Sequence, residues 1–378
     1  MSRGKLCAIQ LLPEMDTGGV EETTLEFSSW LAGRGHRSIV VSGGGRLVPR
    51  LEAAGARHLS LPVGEKGPRL LTAFAPLRKL IIDSGADILH LRSRVPAWLG
   101  LAVVKSLPER LRPKVVTTFH GTYSVHYFSG IMARGERVTA ESRFIFRHAA
   151  DNYGIRPPQL RLIPAGYDER RFFPGAVEKE RRDGLASAWG LSEKSGPVIL
   201  LPARITPWKG HRFFLTALER IRQLPFTAVC VGDPAENPVY AEDLLMMVKE
   251  RGLAGRVIFP GRCADMPAAY ALCSVAVSPS LEPESFGRVA IEAQALGRPV
   301  VATAHGGSLD TVKDGVTGFL VPKGDEASLA AALEKILTDE GLRARMGKAA
   351  SRFVAASFSS ESMCERILDL YYEVLGEK

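Results

Sequence analysis

Short apolar runs rich in valine and isoleucine alternate with helical patterns along the chain, and this alternation restricts the fold more than any other feature. Runs that are followed by turns and helical stretches are typical of parallel strands covered by helices on both faces. The predicted strands are 5–12, 38–42, 87–91 and 115–119 in the first half, and 197–203, 226–231, 256–259, 275–278 and 299–303 in the second. The sequence therefore predicts an α/β fold with two doubly wound sheets.

The chain has 378 residues, about twice the usual domain size, so we expect two domains of similar length. Proline and glycine punctuate the segment 173–176, after which the sequence is charged and irregular. We predict an N-terminal Rossmann-like domain over 1–175 and a C-terminal Rossmann-like domain over 176–358. The final segment 359–378 follows a serine-rich break, is helical near 359–375, and is expected to fold back onto the first domain.

Composition excludes several classes of protein. No apolar run approaches the roughly 20 residues that cross a bilayer, and the run 5–12 is too short for a signal peptide. We therefore expect a cytoplasmic protein. The cysteines form no C-x-x-C pair and lie mostly in apolar runs, as reduced core thiols do. They are Cys7, Cys230, Cys263, Cys273 and Cys364.

The positive charge is concentrated in the first half. The formal net charge is +8, and the residues up to Gly175 contain 25 Lys and Arg against 15 Asp and Glu. This excess suggests a face for an anionic membrane surface or acceptor, although a solvated surface without a partner is the alternative. We expect no nucleic-acid binding, because the basic residues are not interleaved with aromatic residues and no zinc-finger or RNA-recognition signature is present. The sequence predicts no particular oligomeric state.

Ligands of parallel sheets bind beyond the carboxyl ends of the strands, so two such domains should face each other across a cleft lined by strand-to-helix loops. The first loop holds Gly18 and Gly19, which would let backbone amides approach an anion at a helix start, or would simply form a tight turn. His120 follows the strand 115–119. It is either a neutral donor or acceptor for a ligand or a histidine of the core.

In the second half, Arg204 and Lys209 lie five positions apart on the loop that follows the strand 197–203. A guanidinium and an ammonium group on one loop are what a diphosphate leaving group requires. Two surface cations without a ligand are the alternative, but the position at the end of a strand favours the functional interpretation.

The segment 278–293 gives the strongest signal. A helix that begins near Phe286 would direct its free amides at a phosphate, with Glu284 in the preceding loop and Glu292 inside the helix. The two carboxylates then suit a sugar hydroxyl and a ribose. A hydrolytic acid and base pair is the competing interpretation. The predicted backbone contacts come from Ser285, Phe286, Gly287, Arg288 and Val289.

A second glycine-rich turn contains Gly306 and Gly307 and offers further amides to a phosphate. The following segments, Asp314-Gly315 and Thr317-Gly318-Phe319, are expected to form turns. No Asp-x-Asp loop or histidine and carboxylate cluster has metal-ligand spacing, so we expect no metal and no cofactor besides a nucleotide sugar as co-substrate.

Together these residues resemble the retaining glycosyltransferases of family 4, which have the GT-B fold. The matching features are Gly18-Gly19, His120-Gly121, the Arg204 and Lys209 pair, Gly306-Gly307, and the E-x7-E spacing of Glu284 and Glu292. The resemblance implies that Glu284 contacts the transferred sugar, that Glu292 contacts the ribose, and that Arg204 and Lys209 contact the diphosphate. It also implies a front-face route in which the donor phosphate helps to deprotonate the acceptor.

We therefore predict a retaining, metal-independent glycosyltransferase with a nucleotide-sugar donor and a glycan or lipid-linked acceptor. The basic first half and the general resemblance to bacterial members favour lipopolysaccharide or another surface glycan, made at the inner face of the cytoplasmic membrane. Two alternatives are a nucleotide-sugar epimerase of the same fold and a non-catalytic domain that binds a nucleotide sugar and regulates a partner.

Overall fold

A computed structural model of the chain describes residues 4–16 and 18–376, which divide into two compact units. The first unit contains 4–166 together with 360–376, and the second contains 167–359. A few residues of the predicted domains and of the final segment lie outside the described residues, namely 1–3, 17, 377 and 378.

The division between the units falls just before Tyr167, earlier in the chain than the predicted linker at 173–176. Tyr167 pairs with Ser359 in an isolated parallel bridge. The Phe172 ring packs edge-on against the Tyr270 ring, with 6.2 Å between centroids. These contacts attach the segment to the second unit, so the proline and glycine at 174–175 mark a turn and not the boundary.

The first unit contains a parallel sheet with the strand order β3-β2-β1-β4-β5-β6-β7. Its strands are β1 (Cys7–Leu11), β2 (Arg37–Ser42), β3 (Arg57–Ser60), β4 (Ile88–Leu91), β5 (Lys114–Phe119), β6 (Arg137–Ala140) and β7 (Leu160–Leu162). Its first six helices are α1 (Gly19–Gly33), α2 (Val48–Ala53), α3 (Pro68–Thr72), α4 (Phe74–Ser84), α5 (Arg94–Ser106) and α6 (Arg143–Tyr153). Strand β1 is fully apolar except for Gln10 and is buried along its whole length, as expected for a central parallel strand.

The second unit contains a parallel sheet with the order β10-β9-β8-β11-β12-β13. Its strands are β8 (Val198–Pro202), β9 (Thr227–Val231), β10 (Val257–Gly261), β11 (Val275–Ser278), β12 (Val300–Thr303) and β13 (Gly318–Val321). Its helices are α7 (Lys179–Ala188), α8 (His211–Arg220), α9 (Pro238–Glu250), α10 (Met266–Leu272), α11 (Arg288–Ala295), α12 (Ser308–Thr311), α13 (Glu326–Thr338) and α14 (Glu340–Ser357).

The last helix, α15 (Ser360–Leu375), belongs to the first unit. Its Tyr371 ring is fully buried and packs edge-on against Phe27 of α1, with 5.6 Å between centroids. Near its start, Glu361 accepts a hydrogen bond of 2.7 Å from the Trp30 indole of α1. An aromatic core contact and a polar surface contact thus fix α15 against α1.

Thr317 lies in a turn as expected, whereas Gly318 and Phe319 belong to β13, which pairs with β12 at the edge of the second sheet. A Cβ atom on Gly318 would overlap the carbonyl oxygen of Val300, so only glycine allows the two strands to approach this closely. The glycine that indicated a turn is therefore a strand residue. Within 4–16 and 18–376, no helix combines the length and the apolar character needed to cross a bilayer.

Candidate functional site

Three neighbouring strands of the second sheet, β8, β11 and β12, deliver the predicted donor-site residues. Arg204 and Lys209 follow β8, Glu284 follows β11, and Gly307 follows β12. Because the strands are parallel and adjacent, their carboxyl ends meet at one edge of the sheet. The fold thereby brings together residues that are about 100 positions apart in sequence.

The loop after β8 is fitted closely to the loop after β11. The Leu281 amide donates a hydrogen bond of 2.6 Å to the Trp208 carbonyl oxygen. Gly210 has a positive φ of 78°, and a Cβ atom there would overlap the Pro279 carbonyl oxygen. Glycine is therefore required at this position for steric and conformational reasons.

Lys209 and Glu284 form an ion pair at the meeting point of these loops. The Lys209 Nζ atom lies 2.5 Å from Glu284 Oε1, and the two side chains are only 16% and 15% exposed. Ser280, which the sequence analysis did not single out, also donates to Glu284 Oε1 at 2.5 Å. The predicted phosphate-binding cation and the predicted sugar-binding carboxylate thus touch each other.

Arg204 is exposed and differs in this respect from Lys209. Its guanidinium carbon lies 5.9 Å from the centroid of the Trp208 ring, and the Lys209 Nζ atom lies 4.2 Å from the same centroid. Trp208 therefore lies close to both cations, in the range of cation–π contacts. The sequence analysis gave Trp208 no role, although a tryptophan between two cations at a strand end is a usable signal.

Helix α11 begins at Arg288, two residues later than predicted. Gly287 at its N-cap has φ 96°, which is left-handed, so Ser285 and Phe286 stay in the preceding bend. Phe286 is buried and packs edge-on against Phe358, with 5.6 Å between centroids. Only the backbone of Phe286 is therefore left for a ligand, whereas Arg288 and Val289 occupy the first helical turn, where amides lack intrahelical acceptors.

Glu292 lies one turn into α11, about 6 Å along the axis from Arg288. Its carboxylate accepts hydrogen bonds of 3.3 Å from Tyr270 Oη and from Arg288 Nε. Burial is the main cause of the raised pKa of Tyr270, and the negative charge of Glu292 raises it further, so the phenol remains a donor to the carboxylate. The pair holds Glu292 while leaving 15% of its side chain exposed.

The turn after β12 supports the Glu284 loop. The Gly307 amide donates to the Glu284 carbonyl oxygen at 2.7 Å. A Cβ atom on Gly307 would overlap the Phe286 carbonyl, so the glycine allows close packing of two loops. This amide was predicted to bind a phosphate, but it donates to the protein backbone.

In the first unit, Gly18 and Gly19 open helix α1 as predicted. The Glu21 carboxylate, however, folds back close to Gly18. Burial raises the pKa of Glu21, and the carboxylates of Glu14 and Asp16 raise it further. A ligand anion at this helix start would therefore have to displace or neutralise a carboxylate.

His120 lies directly after β5, and its side chain is only 5% exposed. Its Nδ1 atom is 3.0 Å from Glu141 Oε2, and its Nε2 atom is 3.4 Å from Arg92 Nη1. Arginine only donates, so Nε2 accepts and Nδ1 donates to the carboxylate. A ligand hydroxyl would have to replace the Arg92 contact, which is at the long end of the hydrogen-bond range.

Arg92 is buried within a polar network that was not predicted from the sequence, although its Nη2 atom has no hydrogen-bond partner among the described residues. Its Nε donates to Gln10 Oε1 at 2.7 Å, and Gln10 Nε2 donates to Ser28 Oγ at 2.7 Å. Beside it, His90 contacts Tyr371 Oη at 2.7 Å and Thr118 Oγ1 at 2.6 Å. For Gln10 and His90, the signal is a polar residue flanked by apolar ones within a predicted strand.

Each unit also contains an open cavity. In the first, a cavity of about 640 Å³ lies beyond the ends of β1 and β2 and is lined by Glu14, Asp16, Arg46 and Glu65 among others. Its charged lining is mainly acidic, so the basic excess of this unit lies elsewhere. In the second, a cavity of about 670 Å³ between α8 and α9 contains none of the predicted site residues.

Two family descriptions match the chain. Residues 188–353 match "Glycosyl transferases group 1", and residues 17–171 match "Glycosyltransferase Family 4". A crystal structure of a glycosyltransferase from Rickettsia africae ESF-5 is 30% identical, with a TM-score of 0.91 and 100% of both chains covered. The chain belongs to glycosyltransferase family 4. Its two Rossmann-like domains are those of the GT-B fold.

Within family 4, a D-inositol 3-phosphate glycosyltransferase from Salinispora arenicola is 33% identical over 259 residues, which are 65% of this chain and 56% of the relative. The chain thus matches little more than half of that relative's length. A crystal structure of Anabaena Alr3699/HepE in complex with UDP and glucose is 24% identical, with a TM-score of 0.82 and coverage of 97% and 99%. Among the described residues of the present chain, no three His, Cys, Asp or Glu side chains form a group that could hold a metal ion.

Proposed function

We propose that this chain is a retaining, metal-independent glycosyltransferase that moves a sugar from a nucleoside diphosphate to a glycan or lipid-linked acceptor. The observation that carries the proposal is the contact between Lys209 and Glu284, which joins the predicted phosphate-binding loop to the predicted sugar-binding carboxylate. A cation and a carboxylate at the same edge of the sheet suit a ligand that is anionic at one end and rich in hydroxyl groups at the other.

When the donor binds, Lys209 and Glu284 give up their contact with each other and each contacts a different part of the donor. Its diphosphate takes the Lys209 ammonium and the Arg204 guanidinium, assisted by the amides of 285–289. Glu284 then accepts hydrogen bonds from the sugar hydroxyls, and Glu292 accepts them from the ribose. The exchange is feasible because the Lys209 and Glu284 side chains keep some exposure. The exposed Arg204 has no ion pair with a carboxylate among the described residues.

The chemical step replaces one bond at the anomeric carbon of the sugar. The bond to the diphosphate oxygen breaks, a bond to the acceptor oxygen forms on the same face, and the acceptor proton passes to the departing phosphate. Arg204 and Lys209 stabilise the charge that develops on the leaving group, which is why no divalent metal is required. In the first unit, His120 Nε2 gives up its contact with Arg92 and accepts a hydrogen bond from the acceptor instead.

The decisive experiment is thermal unfolding in EDTA with UDP-, GDP- and ADP-sugars. Ligand at 100 times its dissociation constant adds about 2.7 kcal/mol of stability, so one donor class should raise the melting temperature clearly. Glu292→Ala should lose this shift. Glu282→Ala is the control, because Glu282 is an exposed carboxylate of the loop that precedes α11 and should keep the shift.

Three results would count against the proposal. A shift that requires added Mg²⁺ would contradict metal-independent binding. A donor that is converted to its epimer without an acceptor would identify an epimerase. Binding without any consumption of the donor, across a wide range of acceptors, would favour a regulatory domain.

The acceptor is proposed to be a phosphorylated or lipid-linked glycan of the cell surface, with lipopolysaccharide core as the first choice. The acidic cavity of the first unit suits only the uncharged hydroxyl groups of such an acceptor, because carboxylates accept hydrogen bonds from hydroxyl groups and repel a phosphate. Radiolabelled donor should be tested with lipopolysaccharide core and, because of the Salinispora relative, with D-inositol 3-phosphate. Transfer to the inositol phosphate alone would overturn the lipopolysaccharide assignment.

Contact with an anionic membrane is proposed through the segment 121–128 of the first unit. In this segment Val125 is 58% exposed, Tyr127 77% and Phe128 40%. Aromatic residues with one polar and one apolar end are favoured at membrane interfaces. Each Lys or Arg near an anionic lipid surface adds about 1 kcal/mol to the binding free energy. Arg94 lies beside this segment, with its guanidinium carbon 4.9 Å from the Tyr123 ring centroid.

Co-sedimentation with phosphatidylglycerol vesicles tests this contact. The wild type should bind at low salt, and the double substitution Tyr127→Ser with Phe128→Ser should bind at least several-fold less. Leu71→Ser is the control, because Leu71 is 71% exposed, close to the 77% of Tyr127, but lies on α3. Equal loss in both variants, or binding that is independent of lipid charge, would contradict the assignment.

A further inference from the structure

Ser280 lies between strand β11 and Glu284 and is only 1% exposed. Its hydroxyl donates to Glu284 Oε1, the same oxygen that receives the Lys209 ammonium. Both donors therefore converge on one carboxylate oxygen. Among the described residues, no hydrogen bond reaches the other oxygen, Oε2, which leaves that oxygen for a ligand hydroxyl.

The backbone of Ser280 is itself fixed by the end of β12 and the turn that follows. Its carbonyl oxygen accepts hydrogen bonds of 2.8 Å from Thr303 Oγ1 and from His305 Nε2. A carbonyl oxygen only accepts, so His305 must carry its proton on Nε2. The imidazole also lies 2.9 Å from Thr303 Oγ1, which fixes its orientation.

The same turn holds the backbone of Glu284, since the Gly307 amide donates to the Glu284 carbonyl. Gly306 has φ 61°, and a Cβ atom on it would come within 2.5 Å of that carbonyl oxygen. The turn at 303–307 therefore contacts the Glu284 loop at two points, at Ser280 and at Glu284. A hydrogen-bonded chain runs from His305 through Ser280 to the Glu284 carboxylate.

From this geometry we infer that Ser280 and His305 are positioning residues that hold Glu284 so that Oε2 faces the transferred sugar. The inference rests on the proposed function. When Lys209 binds the donor diphosphate, the Ser280 hydroxyl becomes the remaining donor to Glu284 Oε1 among the described residues. Without it, the carboxylate can rotate away from the sugar at the moment when its orientation matters.

The test uses the release of nucleoside diphosphate by slow hydrolysis of the nucleotide sugar, which needs no acceptor. Ser280→Ala should lower kcat about 10-fold, as expected for the loss of a hydrogen bond to a charged group. The dissociation constant of the nucleoside diphosphate, which lacks the sugar, should stay within about twofold of the wild-type value. Ser280→Thr keeps the hydroxyl and should retain most of kcat.

His305 provides an independent pair of variants. His305→Leu removes the donor to the Ser280 carbonyl and should lower kcat about threefold to fivefold. In His305→Gln the side-chain amide can donate to the same carbonyl, so activity should be restored. Equal loss in both variants would mean that the imidazole acts only through packing, and would overturn its positioning role.

Two further outcomes separate this inference from the proposed function. If Ser280→Ala hydrolysed the nucleotide sugar at the wild-type rate, the inference would be overturned while the proposed function stands. The same holds if the variant lost nucleoside diphosphate affinity and kcat by equal factors. A wild type that binds nucleotide sugars but never cleaves them would overturn the proposed function. The test of positioning would then be the ratio of the dissociation constants of the free nucleoside diphosphate and the nucleotide sugar. This preference for the nucleotide sugar should be about 10-fold smaller in Ser280→Ala.

Discussion

The two units place polar residues at the ends of their strands in different ways. In the second, partly exposed charges form ion pairs at 15% to 16% exposure, Lys209 with Glu284 and Arg288 with Glu292. In the first, Arg92 is 2% exposed and is held by neutral partners such as Gln10. An exposed pair can exchange its partner for a ligand at low cost, whereas a buried network loses stability when one member is removed.

This difference separates the expected effects of substitutions. Substitutions in the second site should change donor binding and turnover more than folding. Substitutions in the buried network of the first unit should change folding more than donor binding. Variants that violate this division would show that the two kinds of polar cluster are not functionally distinct.

The largest effect is expected for the leaving-group cations. Arg204→Ala and Lys209→Ala should each lower turnover roughly 100-fold or more, since one donor aimed at a developing oxyanion typically contributes about 2.7 to 4 kcal/mol. Arg204→Ala should leave the free energy of unfolding nearly unchanged because the side chain is exposed. Steady-state kinetics and urea unfolding give the two measurements.

Arg212→Ala is the matched control for these cations. Arg212 is an exposed arginine at the start of α8 that pairs with Asp243 at 3.0 Å, so its removal should leave turnover unchanged. A loss below about fivefold in both cation variants would rule out their role at the leaving group.

The positions of the second-unit residues relative to the strands were predicted from the sequence, whereas their roles in catalysis stay predictions. Arg204, Lys209, Glu284 and Glu292 lie in two short segments, and each segment follows an apolar strand that is easily recognised. Their supporting residues were missed because their roles depend on contacts between loops. Trp208, Ser280 and His305 carry no motif of their own, although all three lie beside predicted residues.

The first-unit network was beyond motif analysis because its members are far apart in sequence. His90 and Tyr371 are separated by 281 positions, and Arg92 and Gln10 by 82. Four strands were also missed, namely Arg57–Ser60, Arg137–Ala140, Leu160–Leu162 and Gly318–Val321. They are at most four residues long, and three of them lie at sheet edges. An edge strand has a neighbouring strand on one side only, so its apolar pattern is weak.

The second-largest effect concerns acid stability, because each unit buries a histidine. Burial lowers the pKa of His211 to about 4 in the second unit, and burial also lowers the pKa of His90 in the first. The unfolded chain takes up protons below its ordinary pKa near 6.5 while the folded chain does not, so stability is present above 6.5 and is lost as pH falls. Between pH 7 and 5, His211 should account for about 2 kcal/mol of this loss.

Urea unfolding at pH 7 and pH 5 tests this prediction. His211→Leu should remove the part of the pH dependence that belongs to the second unit and leave the part from His90. His126→Leu is the control substitution at an exposed histidine. An unchanged pH dependence in His211→Leu would show that His211 takes up its proton equally in the folded and the unfolded chain.

A smaller effect is expected where the first-unit network reaches His120. Glu141→Ala removes the carboxylate that accepts from His120 Nδ1 at 3.0 Å and should lower acceptor transfer about 10-fold, as expected for a misoriented imidazole. Glu141→Gln keeps an acceptor oxygen and should lose less. The donor-induced melting shift should persist in both variants. Full transfer activity in Glu141→Ala would remove His120 from the acceptor site.

The smallest effect separates folding from binding most cleanly. Tyr371→Phe deletes the hydroxyl that contacts His90 Nδ1 at 2.7 Å, in a place where Tyr371 is fully buried. The loss should be about 1 kcal/mol of unfolding free energy, because one hydrogen bond is removed and a buried ring nitrogen is left without it. Tyr127→Phe, at an exposed tyrosine, should cost nothing measurable. If Tyr371→Phe instead weakened donor binding at unchanged stability, the buried network would be part of the donor machinery, and the division between a stabilising first-unit network and a ligand-exchanging second-unit site would fail.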